Sequence, residues 1–60
     1  MKKGDLVKWE AHGRHPFTED GHGILLEDTP ETYNQHQLVK IFWKNDIYYI
    51  NPNRLELISD

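Results

Sequence analysis

Sixty residues with a formal net charge of −3, 37% hydrophobic and 28% charged residues, and no cysteine describe one small folded unit and exclude a disordered chain. Such a chain buries only about 60% of the surface its unfolded form exposes, and the lack of cysteine leaves packing, metal or a partner as its staples. No apolar run approaches the ~20 residues of a membrane helix, and "MKKGDLVKWE" has no apolar leader core behind its lysines, so a cytoplasmic location without a membrane partner is expected.

The predicted elements follow in chain order. "DLVKWE", Asp5 to Glu10, alternates Val7 and Trp9 on one face with Leu6 and Lys8 on the other, a strand pattern. The segment from His12 to Gly23 reads as a long loop whose glycines supply turns. A second strand, "GILLE", spans Gly23 to Glu27 with Ile24 and Leu26 on one face, and Asp28 to His36 reads as a wide turn. The third strand, Gln37 to Trp43, carries apolar groups on both faces: Val39, Ile41 and Trp43 against Leu38 and Phe42. Lys44 to Asp46 predicts a tight hairpin, because Asn and Asp tolerate left-handed backbone. Ile47 to Ile50 returns as a fourth strand. Asn51 followed by Pro52 predicts one short helical turn, and "ELIS" closes the chain as a fifth strand.

"GDLVKW", the long loop to "GHGILLE", the pair "LVKIFWKNDIYYI" and the ending "INPNRLELI" together resemble the small SH3-like barrels found as short open reading frames of tailed phages and bacteria. The resemblance spans residues 1–60 as a single domain. It implies an all-β fold, a single five-stranded SH3-like barrel with a short helical turn before the last strand. It also implies a small non-enzymatic binding module, an accessory factor in the cytoplasm of a bacterium or of a phage's host. The chain lacks the ALYDY-type opening and the paired tryptophans of proline-peptide binders, so that ligand class is not implied.

Three of the four histidines, His12, His15 and His22, share one loop with Glu19 and Asp20. The residue types suit zinc, but Arg14 between His12 and His15 would repel a cation. Solvated loop histidines are therefore expected, with no metal and no other cofactor. Catalysis has little material either: the one serine, Ser59, is at the end of the sequence, and the remaining hydroxyls are three threonines and three tyrosines.

The aromatics carry the functional expectation. There are seven, more than one small barrel needs inside, and alternation sends Tyr48 and Tyr49, like Phe42 and Trp43, to opposite faces. Aromatics beside Pro and Arg have the composition of binding hot spots. The predicted ligand-binding set is Trp9, Phe17, Glu19, Asp20, Tyr48, Pro52 and Arg54, with the acidic loop steering a basic protein partner. A nucleic-acid-binding barrel of the KOW or Tudor kind is the main alternative, using Lys40, Lys44, Arg54 and the N-terminal Lys2 and Lys3. The net charge and the absence of Lys or Arg between Arg14 and Lys40 weigh against it. Self-association is the third reading, since a second copy could complete the two-faced third strand.

Overall fold

The computed structural model describes residues 1–59. Five strands form one antiparallel sheet: β1 (Leu6–Trp9), β2 (Gly21–Leu25), β3 (Val39–Trp43), β4 (Asp46–Ile50) and β5 (Glu56–Ser59), with a 3-10 turn at Pro52–Arg54 between the last two. In space the order is β4-β3-β2-β1-β5. The all-β expectation thus holds: the five strands make one antiparallel sheet, with β4 and β5 at its two ends.

Alternation decides which side chains go inside. Val7, Trp9, Leu25, Val39, Ile41 and Ile50 point inward from β1 to β4, and Phe17 and Leu55 join them from the first loop and the segment before β5. All eight are buried, and among the described residues no polar or charged residue is. The β3–β4 connection contracts to two residues, Lys44 and Asn45, both left-handed with φ of 50° and 61°. That is the two-residue turn whose twist matches antiparallel strands, so Asp46 already pairs with Trp43.

The second strand departs most from expectation. It begins at Gly21 and not at Gly23, and its inward residues are Gly21, Gly23 and Leu25, with Ile24 turned outward. The reason lies in Trp9. A Cβ on Gly21 would stand 2.8 Å from the indole of Trp9, and one on Gly23 would stand 2.5 Å from the Phe42 carbonyl oxygen and 3.3 Å from Trp9 Cη2. These two glycines form the bed on which the indole lies. They are not turn formers, and of the three glycines in the loop read from the sequence only Gly13 is left-handed, with φ 76°.

Asn51 fastens the far end of the sheet. Its Oδ1 accepts from Asn53 N at 2.9 Å, capping the 3-10 turn, while its Nδ2 donates to the carbonyls of Asn34 at 3.0 Å and Gln37 at 2.8 Å. One side chain thus holds both the turn and the loop entering β3. Asn51→Ala is expected to destabilise the chain by about 1–2 kcal/mol, the usual range for a lost cap. Asn51→Asp keeps the capping oxygen but loses both donors. Chemical denaturation ranking the parent, the Asp and the Ala variants in that order is the expected result, and an Ala variant equal to the parent would show that the clamp carries no energy.

Candidate functional site

The seven residues singled out in the sequence do not converge on one exposed surface. Trp9, Phe17 and Pro52 are buried. Trp9 meets Phe17 edge to face at 5.7 Å between ring centroids and Trp43 at 5.2 Å, and Phe17 stacks on Trp43 at 5.9 Å. Tyr48 is half-buried and closes the group, 5.3 Å from Trp43. These aromatics are therefore the packing between the first loop and the β3–β4 hairpin, and the expected place of Trp9 and Phe17 in the ligand-binding set is corrected, because both are buried. The cause is non-local: Phe17 packs on Trp43 and Tyr48, carried there by a loop in which Arg14 and Phe17 pair in an isolated bridge and His12 N donates to the Phe17 carbonyl at 3.1 Å.

The polar members of the set serve the same loop. Asp20 Oδ1 accepts from Ala11 N at 2.8 Å and closes the loop's base. Glu19 Oε1 accepts from Lys44 Nζ at 2.7 Å, and that ammonium also lies 4.5 Å from the centre of the Trp43 ring. Both partners of this pair are more than half exposed, so its net contribution to stability is small. Arg54 is exposed on an open concave surface of about 590 Å³, shared with Lys8, Asp20, His22, Asn53 and Glu56. Its charges are mixed, and the Lys8 to Glu56 ion pair at 3.7 Å occupies part of it.

The histidines separate. His12 stacks on Phe17 at 5.4 Å, whereas His15 and His22 are exposed, His22 on the outer face of β2. Among the described residues no group of three or more His, Asp or Glu side chains is placed to hold a metal ion, and no helix is long and apolar enough to cross a membrane.

A different surface emerges from the strand register. Leu6 pairs with Ile24, Ile24 with Phe42, and Phe42 with Ile47. Paired residues share a face, so these four side chains form one continuous row across β1, β2, β3 and β4, on the side opposite the core. Neighbouring strands lie about 4.8 Å apart, which makes the row roughly 14 Å long. Every member is exposed: Leu6 and Ile24 by 42%, Phe42 by 40% and Ile47 by 51%, with Tyr49 beside them at 55%. Lys40 borders the row next to Tyr49, its register partner, and Lys8 and His22 border it on the other side.

No protein-family model, curated protein or solved structure matches this chain. The row was not among the residues singled out in the sequence, although its signal was visible there. It is the apolar outer side of the third strand, Phe42, which no alternation scheme for a half-buried strand requires.

Proposed function

We propose that the chain is a small non-enzymatic protein-binding module, an SH3-like barrel whose contact surface is the outer face of its sheet. The strand order β4-β3-β2-β1-β5 and the 3-10 turn before the last strand support the barrel reading. The single observation that carries the binding reading is the unbroken row Leu6, Ile24, Phe42 and Ile47. Isolated exposed apolar residues are ordinary, but the largest contiguous apolar patch of a domain, here on the order of 400 Å², is often its functional surface. Phe42 and Tyr49 supply the aromatic anchors that dominate such contacts. The originally expected set of Trp9, Phe17, Tyr48, Pro52 and Arg54 is replaced in this role, because three of its members are enclosed in the domain.

The test is photocrosslinking in cells that make the protein, with a photoreactive phenylalanine analogue at position 42 or, as a control, at the exposed loop residue Gln35. One discrete protein adduct from position 42, competed by excess parent chain but not by the Phe42→Glu variant, is expected. The absence of any adduct from position 42, or the same adducts from both positions, would overturn the reading.

A further inference from the structure

We infer that the occupant of the outer face is a second copy of this chain, the two copies packing row against row about a two-fold axis that runs along the strands. The inference rests on the protein-binding reading of the same face and names its partner.

Three observations carry it. The first is area. The five side chains Leu6, Ile24, Phe42, Ile47 and Tyr49 are each 40–55% exposed, about 450 Å² per copy. Two copies with their rims then bury on the order of 1,000 Å², the lower bound for a specific contact. The second is self-complementarity. An isologous contact sets a patch against itself, and rotation about an axis along the strands places Leu6 of each copy opposite Ile47 of the other, and Ile24 opposite Phe42. Aliphatic then meets aliphatic at the ends, and each aromatic ring meets an isoleucine at the centre.

The third observation is charge, which favours the axis along the strands. With the axis along the strands, β3 of one copy lies over β2 of the other. Lys40 then passes over Leu26, whose N donates to the Lys40 carbonyl within each copy, and near Glu27, whose carboxylate accepts from Lys40 N at 3.0 Å. The contact also supplies extra apolar burial to a domain with a small core and no cysteine to staple it.

Two measurements test this. In sedimentation equilibrium on the purified chain, the weight-average mass is expected to rise from 7.2 kDa toward twice that value as concentration increases from about 1 μM to about 1 mM. Phe42→Glu, on an exposed site, is expected to keep a cooperative melt while weakening association at least ~100-fold. The geometry is read by crosslinking with a short thiol-reactive bifunctional reagent that spans the roughly 10 Å between packed sheets, which is clean because the chain has no cysteine of its own. A Leu6→Cys, Ile47→Cys double variant is expected to form a covalent dimer. The two positions lie three strands apart in one copy, roughly 14 Å, beyond the reach of that reagent, and each single variant is expected to remain a single chain. A parent mass that stays at one copy throughout, or single variants that crosslink as well as the double, would overturn the proposal. If the mass stays constant while position 42 captures a different protein in cells, the second copy is discarded and the protein-binding reading stands. If the mass stays constant and no adduct forms, both fall.

Discussion

Replacing Trp9 with alanine is expected to abolish the cooperative thermal transition of this chain. The indole is 3% exposed, lies over Gly21 and Gly23, and meets both Phe17 and Trp43 edge to face. Removing a buried Trp to Ala costs about 3–5 kcal/mol, and a single core of this size supplies rarely more than about 3–5 kcal/mol in total. The two magnitudes are equal, so the variant has no stability left. Trp9→Phe should be milder, because it keeps a ring in place and removes a buried Nε1–H that has no acceptor among the described residues. Near-ultraviolet circular dichroism and a thermal melt read the outcome, and an Ala variant melting within a few degrees of the parent would refute the placement of Trp9 at the centre of the core. A Trp9 substitution therefore reports on folding and cannot report on partner binding.

The second large effect is expected at Gly23. A methyl there would stand 2.5 Å from the Phe42 carbonyl oxygen, a backbone atom held in the β2–β3 pairing, with Trp9 Cη2 at 3.3 Å on the other side. Neither neighbour can turn away as a flexible side-chain tip could. Overpacking of this kind costs about 1–3 kcal/mol, and each kcal/mol lowers the midpoint of a 60–100-residue domain by about 4–8 °C. Gly23→Ala is thus expected to melt well below the parent. Gly21→Ala should cost less, because its 2.8 Å contacts are all with the Trp9 side chain and not with backbone. Equal melting of Gly23→Ala and the parent would show that β2 does not lie as close to β3 as described.

These two positions mark the boundary of what the sequence discloses. The order of strands, the hairpin at Lys44 and the turn opened by Asn51 and Pro52 were legible, because alternation, left-handed turn residues and capping act over a few residues. The start of β2 was not. Gly21 and Gly23 stand in a run of polar and turn-forming residues, and what makes them strand residues is an indole twelve and fourteen positions away in the chain. The aromatics failed in a related way. Parity separates Phe42 from Trp43 and Tyr48 from Tyr49, but Trp9 and Phe17 read by composition as ligand-binding residues, whereas their mutual packing places them inside. The outer row needed the register as well. Leu6, Ile24, Phe42 and Ile47 are far apart in sequence, and only the pairing of four strands aligns them.

The burial of Phe17 also bears on how this scaffold could be re-engineered. A surface connection in a small β-domain is ordinarily the first choice for grafting a new epitope or opening a circular permutant, because its backbone makes few tertiary contacts. Residues 11–20 do not qualify, since they deliver a side chain that is 5% exposed to the core and anchor themselves through Asp20 and Glu19. The exposed stretch around Glu31 and Thr32 is the better insertion point, provided that Asn34 and Gln37 keep their carbonyls on Asn51.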